Sequence, residues 1–386
     1  MHSLEWHIIT PEYPPQTGGV SDYTRLVSEG LVEQGDSVHV WCPTLTGGVP
    51  IQPDGGRGPV TVHRGELARL GKELDEFARP RRLLVQWVPH GYGYRSMNLG
   101  FCLWLWRRAR VRKDTVEIMI HEPFLAFREG SWRQDAVAIV HRVMIVILLH
   151  SATRVWVSIP AWIGRLKPYM LWRRVPIEWL PIPSGLEVRS QRARRANPES
   201  GRLKIGHFGT YGARISQMLE TLAEPLLRAD HARVLVLMGR GSEEFRHRLV
   251  TRNPELREQI QATGTIPAAE VSSRISECDL MVQPYPDGIS SRRTSAMAAL
   301  SHAKAIVTTE GRLTEEIWRR GEAVALLPTD DVTGFVCAAE DLLSNAEKRY
   351  KLGLRARDFY LKHFDVWHTI EALRSDRERS LLSCAS

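Results

Sequence analysis

A strand, a glycine turn, a helix and a second strand open this chain, and the same order begins again in its second half. Trp6 to Thr10 reads as a short apolar strand, ended by Pro11-Glu12-Tyr13-Pro14-Pro15. Gly18-Gly19-Val20 then leads into a helical pattern in which Val20, Tyr23, Leu26, Val27 and Leu31 share one face. Gly35 closes that helix as a C-cap, and Ser37 to Trp41 is the next strand. Such a βαβ unit calls for a parallel sheet, because the crossover helix returns the chain in the same direction, and a ligand is expected at the first turn. The second start runs from a strand at Leu203 to Phe208, through Gly209-Thr210-Tyr211-Gly212, to a helix from Ser216 to Leu227. A strand from Val234 to Met238 follows and ends at Gly239-Arg240-Gly241. Between the two starts, Glu187 to Arg202 is polar, basic and poor in large apolar residues, which marks a domain boundary. At 386 residues, two α/β domains are expected rather than one.

The remaining segments keep the alternation. In the first half, Val60–His63, Leu83–Val88, Thr115–His121 and Arg154–Ile159 read as strands, with helices over Leu99–Arg110 and Gln134–His150. Pro43–Pro59 and Pro89–Ser96 read as loops. In the second half, helices are expected from Glu243 to Ile260, over Pro267–Cys278, from Thr314, from Asp331 and in the charged segment after Asn345. Strands are expected over Ala262–Ile266, Leu280–Gln283, Ala305–Thr308 and Val324–Leu327. A hydrophobic share of 43% supports real cores and excludes a disordered chain. The net charge of +8 suits phosphate ligands, polyanions or an anionic membrane surface, or else reflects a plain solvated basic exterior. Cys42, Cys102, Cys278, Cys337 and Cys384 are far apart and odd in number, so no zinc or disulfide framework is expected and a reducing cytoplasm fits. MHSLEWHIIT lacks the basic and long apolar regions of a signal peptide. The most apolar run, Val143 to Leu149, falls short of the roughly 20 residues that span a bilayer. A soluble or peripheral protein is therefore expected.

Gln283 to Thr308 carries the densest chemistry: a polar loop, Pro286-Asp287-Gly288-Ile289-Ser290-Ser291-Arg292-Arg293, then a small-residue helix from Thr294 to His302, then an apolar strand. Hydroxyls, two arginines and the N–H groups of a helix start make an anion site. Arginine grips phosphate at two points at once. Adjacent arginines point in different directions, so one of Arg292 and Arg293 is expected to face an anion.

With these segments placed, the chain resembles the GT-B glycosyltransferases, specifically the retaining family 4 type, glycosyl transferases group 1, over nearly its whole length. PEYPPQTGGVSDYTRLVSEGLVEQGDSVHVW is similar to that family's opening strand, glycine loop and helix. KIGHFGTYG resembles its phosphate turn, VLVLMGRGS its second strand turn, and GTIPAAEVSSRISECDLMVQPY its base-binding stretch. PDGISSRRTSAMAALSHAKAIVTT resembles the segment around its E-x7-E motif, with Asp287 at the first acid and Ser295 at the second. The resemblance implies an α/β chain of two Rossmann-like domains with parallel sheets facing a central cleft. It implies an acceptor-side domain at 1–186, a linker at 187–202, a nucleotide-sugar domain at 203–350 and a helical segment at 351–386 that packs back on the first domain. The implied activity is transfer of a sugar from a nucleotide sugar to a hydroxyl acceptor, with retention, for cell-surface glycan, glycolipid or secondary-metabolite synthesis. No D-x-D motif stands near a sheet end, so no metal and no other cofactor are expected. The implied catalytic residues are His121 and Asp287. The implied donor-binding residues are Gly18, Gly19, Gly209, Thr210, Arg214, Gly239, Ile266, Ser290, Ser291, Arg292, Arg293 and Ser295.

Each of these residues also has a structural explanation. Gly18-Gly19 can serve a turn that needs glycine torsion angles, and His121 can be a capping or buried histidine. Asp287 suits an Asx turn before Gly288, and Ser290, Ser291, Thr294 and Ser295 can be helix caps. A shorter acid at Asp287 and a serine at Ser295 fit a catalytically degenerate GT-B nucleotide- or partner-binding protein as well as an enzyme. A sugar-nucleotide epimerase shares the fold. Nucleic-acid binding rests on charge alone, without a zinc finger or RNP motif, and is not expected. Two clusters, Trp104 to Arg110 and Trp162 to Arg174, combine tryptophan with arginine. They fit either core aromatics with a solvated rim or a membrane interface, and the second would bring a lipid-linked acceptor.

Overall fold

A computed structural model of the chain describes residues 3–16, 18–44, 60–93, 96–127, 132–188 and 202–383. Most of the Pro43–Pro59 loop, nearly all of the 187–202 linker, and Cys384 lie outside the described residues. Two compact units emerge: one comprises Met1–Pro181 with Val366–Ser386, the other Ile182–Asp365.

The first unit is built on β1 (Glu5–Ile9), α1 (Gly19–Glu33), β2 (Ser37–Thr44), β3 (Val60–Glu66), α2 (Leu67–Leu74), β4 (Arg82–Trp87), α3 (Leu99–Arg107), β5 (Thr115–Ile120), α4 (Trp132–Ser151), β6 (Arg154–Val157), α5 (Ala161–Leu166) and β7 (Ile177–Trp179). Its seven strands lie in the order β3-β2-β1-β4-β5-β6-β7, and every pairing is parallel. Strands buried on both faces read as continuous apolar runs, as Leu83, Leu84, Val85 and Trp87 do here. Gly35 adopts φ 83° just past α1, the left-handed turn that a Cβ would resist.

The second unit repeats the plan with β8 (Leu203–Phe208), α6 (Ala213–Arg228), β9 (Arg233–Met238), α7 (Ser242–Arg252), β10 (Ile260–Ala262), α8 (Ala268–Glu277), β11 (Leu280–Gln283), α9 (Thr294–Ser301), β12 (Ile306–Glu310), α10 (Glu316–Gly321), β13 (Ala325–Pro328), α11 (Val332–Ser344) and α12 (Ala346–His363). Its strands run β10-β9-β8-β11-β12-β13, again all parallel. Leu219, Leu235, Leu280, Val307, Phe335 and Leu342 belong to its core. The expected α/β architecture of two parallel-sheet domains is therefore the one observed. The last helix, α13 (Val366–Ser383), belongs to the first unit: Leu373 O accepts a hydrogen bond from Arg82 at 2.7 Å, and Gln34 O accepts one from Arg374 at 3.0 Å.

The expected helix over Leu99–Arg110 ends at Arg107 and continues as a π turn, Arg108–Arg112. A buried ion network explains the change of pitch. Asp114 accepts from Arg81 at 2.8 Å and from Arg108 at 2.6 Å, while Asp75 takes the other side of Arg108 at 2.7 Å. Arg81 and Arg108 are both buried, so they are stabilised by compensating carboxylates and not by water. Arg108 thus leaves the basic cluster and joins the core.

Candidate functional site

In the second unit the sequence-selected residues of that half follow the carboxyl ends of β8, β9, β10 and β11. Gly209 and Gly239 follow β8 and β9, with φ 156° and 107°. A Cβ on Gly239 would lie 2.3 Å from Gly209 O, so glycine is required at 239 by the contact between the two turns. Gly209 N donates to Met238 O at 3.1 Å and locks them together. Thr210 and Arg214 stand exposed beside this pair, Arg214 in the first turn of α6. Ile266 is half-buried in the link between β10 and α8.

The loop between β11 and α9 is fixed at several points. Gly288, at φ 84°, packs its Cα against Gly311, where any Cβ would sit 2.3 Å from the Gly311 nitrogen. Ile289 N donates to Thr309 O at 2.8 Å. Asp287 is gripped by Arg312, whose Nε and Nη2 lie 2.8 and 2.7 Å from its Oδ1. Burial raises the Asp287 pKa, but the Arg312 hydrogen bond and charge, with Arg293 and Arg292, outweigh it and hold the carboxyl below its usual value. Ser291 turns inward: its N and Oγ donate to Glu315 Oε1 at 2.9 and 2.5 Å, and its carbonyl accepts from Ile182 N at 3.0 Å. Its role here is to anchor the loop. Ser295 pairs with the Tyr285 hydroxyl at 2.8 Å, and the Arg293 guanidinium stacks over the Tyr285 ring at 4.7 Å. The N-cap of α9 is Arg293, with no side-chain cap, so none of the loop hydroxyls serves as one. Arg292 and Arg293 are half-buried at this helix start, where the backbone dipole adds to their charge.

Two buried polar groups at the same strand ends, His207 and Gln283, carry no signal in the sequence, and Ser290 joins them from the loop. His207 Nδ1 lies 2.9 Å from Val282 O and so carries the hydrogen, leaving Nε2 as an acceptor without a partner among the described residues. A Cβ on Gly209 would be 3.7 Å from both His207 Nε2 and Ser295 Oγ, which places the imidazole at the turn after β8. Gln283 Oε1 and Ser290 Oγ are likewise buried and unpaired. Ser290 was legible from its loop, whereas His207 and Gln283 are hidden inside apolar strands.

Burial pushes His207 down to about 4, so it is neutral in the fold. The unfolded chain takes up a proton below about 6.5 and the native ring does not, so this contribution to stability is present above 6.5 and is lost as pH falls from there toward 4. The expected loss is on the order of 3 kcal/mol at most. Asn in place of His207 keeps a donor for Val282 O and cannot titrate. Chemical denaturation at pH 7 and 4.5 should show a smaller pH loss for His207→Asn than for the native chain; equal losses would remove His207 as the cause.

In the first unit, His121 follows β5, with Nε2 2.9 Å from Gln86 Oε1 and its ring edge-on to Tyr23 at 5.0 Å between centroids. Burial pushes its pKa down to about 3, so it acts as a neutral hydrogen-bonding group. At the start of α1, Glu12 Oε1 accepts from Val20 N at 3.1 Å and Ser21 N at 3.0 Å. Gly18 is extended, at φ −179°, so its torsion angle does not demand glycine. A Cβ there would lie 2.2 Å from Glu12 Oε1, and the carboxylate is what the residue makes room for. Gly19 has open space around it. The helix start that was expected to be open to phosphate thus already holds a carboxylate. Among the described residues no three His, Cys, Asp or Glu side chains are grouped as a metal site would need.

Residues 202–345 match the family described as Glycosyl transferases group 1. None of the curated protein sequences matches the chain. Among solved structures, the sucrose-phosphate synthase of Thermosynechococcus elongatus is similar at 15% identity, covering 99% of this chain and 100% of its own, with a TM-score of 0.69. The α,α-trehalose 6-phosphate synthase of Burkholderia multivorans is similar at 15% identity and TM-score 0.69, covering 100% of this chain and 98% of its own. Anabaena HepE, solved in complex with UDP and glucose, is similar at 12% identity and TM-score 0.69, covering 97% and 100%.

Proposed function

We propose that this chain, a GT-B glycosyltransferase whose second unit carries a glycosyl transferases group 1 domain, moves a sugar from a nucleoside diphosphate to a hydroxyl acceptor with retention and without a metal. The observation that carries this reading is the pair Arg292 and Arg293 at the uncapped start of α9, beside the interlocked Gly209 and Gly239 turns. When the nucleotide departs, negative charge builds on its β-phosphate. Guanidinium groups and helix N–H groups stabilise that charge as it forms, which lowers the barrier without a cation. His207 Nε2 and Ser295 supply polar contacts at the same turn, and His121 serves as a neutral partner for a sugar hydroxyl. HepE was solved with UDP and glucose and the E. coli trehalose-6-phosphate enzyme with UDP-2-fluoro glucose, which supports a uridine donor here. The acceptor is a sugar, a lipid-linked sugar or a small molecule, met in the cytoplasm.

A second reading has its own observation: Asp287 is already paired with Arg312, and Ser295 with Tyr285, as in a protein that binds a nucleotide without turning it over. One experiment separates the two. Thermal melting against UDP-, GDP-, ADP- and dTDP-sugars should give a midpoint that rises with concentration for one donor class, by the equivalent of about 2.7 kcal/mol at a hundred times Kd. Proton NMR of that donor incubated with acceptor sugars should then show a glycoside with the donor's anomeric configuration. Stabilisation with no product would favour the binding protein. An epimerised donor would favour an epimerase, and no stabilisation by any donor would end both nucleotide readings.

A further inference from the structure

The aromatic and basic clusters of the first unit divide sharply. Trp104 and Trp162 pack inward, and Arg108 is held by Asp114, so these belong to the interior. Trp106, Trp132 and Trp172 do not: Trp132 is 76% exposed and Trp172 83%. Helix α4 shows how they are connected. Its buried residues Ala138, His141, Met144, Ile145, Leu148 and Leu149 lie on one side. Trp132, Ala136, Ile139 and Val143 lie on the opposite, exposed side. At 3.6 residues per turn, Trp132 and His150 are about five full turns apart and share one azimuth, so the exposed apolar stripe from Trp132 to Val143 leads through half-buried Val146 and Ile147 to His150. α4 is long and apolar enough to cross a bilayer, yet its other side is packed into the unit, so only this stripe is offered to the surroundings.

Two neighbouring segments extend the stripe. Trp172 meets the His150 ring at 5.3 Å, and the His150 carbonyl accepts from both Arg110 at 3.0 Å and Arg173 at 2.8 Å. The end of α3 and the turn at Leu171–Trp172 therefore converge on the end of α4. α3 adds Leu103 and Trp106, both exposed. The charge is predominantly positive. Residues 99–113 contain five basic and no acidic side chains, residues 161–174 four basic and none acidic, and α4 has Asp135 as its one acid. Arg107, Arg110, Lys167 and Arg174 are exposed among these aromatics.

We infer that this face, formed by α4, the end of α3 and the Leu171–Trp172 turn, is a docking surface for an anionic lipid bilayer. Tryptophan favours the boundary between headgroups and acyl chains, and an apolar stripe gains by burial there. Arginine and lysine among the aromatics meet acidic headgroups at about 1 kcal/mol each. A soluble protein partner of the same affinity would need matching acidic groups and would not require lipid.

The test is sedimentation of the full chain with vesicles of phosphatidylcholine alone or of equimolar phosphatidylcholine and phosphatidylglycerol, with and without added salt. Binding is expected to the anionic vesicles, to fall with salt, and to be at least tenfold weaker to phosphatidylcholine. Trp132→Ser with Trp172→Ser, and separately Arg107→Glu with Arg174→Glu, should each weaken binding about tenfold or more while the unbound proteins melt as the native chain does. Absence of binding to anionic vesicles at low salt would overturn the proposal. So would binding that neither pair of substitutions changes, or a native dimer in the absence of lipid that Trp132→Ser with Trp172→Ser dissociates.

Discussion

Alanine at both Arg292 and Arg293 is expected to weaken nucleotide-sugar binding by about a hundredfold or more. The two guanidiniums sit half-buried at the start of α9, at a position where no side chain caps the helix. Hydrogen bonds to a charged group contribute about 1.5–3 kcal/mol each. A single two-pronged arginine–phosphate contact is therefore enough for a factor of about a hundred. The fold should survive. Loss of the Arg293 stack over Tyr285 costs about 1 kcal/mol, which lowers the melting temperature by a few degrees. The single variants are expected to differ, because adjacent side chains point in different directions and Arg293 is already committed to the ring. Lysine in place of the phosphate-facing arginine should restore part of the affinity, since it keeps the charge and loses the fork. Titration calorimetry with the donor identified by thermal melting reads all four proteins. Native affinity in the double alanine variant would remove the diphosphate from this loop.

The two βαβ starts were legible because their signals are local: an apolar strand, a glycine turn and a one-faced helix within thirty or so residues. Short or charged elements escaped. α2, LARLGKEL, is eight residues long with three of them charged, and β7 is three residues set among prolines and charges. At the site, chain order alone brought Asp287 and the two arginines to one loop and Ser295 to the helix that follows it. It could not say what each side chain does there, because that depends on partners far along the sequence. Ser291 looks like its neighbour Ser290 in the sequence, yet one is tied to Glu315 and the hydroxyl of the other is buried without a partner among the described residues. Gly18 looks like a phosphate-loop glycine, and its contact is Glu12. His207 sits in an apolar strand where the pattern offers no hint of chemistry. Arg108 reads as one more surface arginine until Asp114 and Asp75 close around it. What fails to show in sequence is, in each case, a polar contact made across the fold.

Glu315→Ala is expected to be the most damaging single substitution that touches no ligand. This carboxylate stands behind the loop and accepts three hydrogen bonds: from Ser291 N at 2.9 Å, from Ser291 Oγ at 2.5 Å and from Trp318 Nε1 at 2.9 Å. Removing it leaves donors without an acceptor in a largely enclosed place, at a cost of about 2–4 kcal/mol. The loop would then lose its tether between Ile182 and α10, and the arginines next to Ser291 would lose their fixed position. Donor affinity should therefore fall together with stability, in contrast to the arginine variants, which lose affinity first. Glutamine at 315 can accept from two of the three donors and should recover more than half of the stability. Its pH dependence gives a separate reading. Burial raises the Glu315 pKa above its usual 4.5 despite the donors around it. The folded chain therefore holds that proton to higher pH than the unfolded chain does. The contribution is fully present below about 4.5 and declines as pH rises through the folded value. Glutamine does not titrate, so the stability difference between the native chain and Glu315→Gln should narrow from pH 4 upward. A difference that stays constant or widens would mean that the carboxylate enters the fold already ionised, with its donors outweighing its burial.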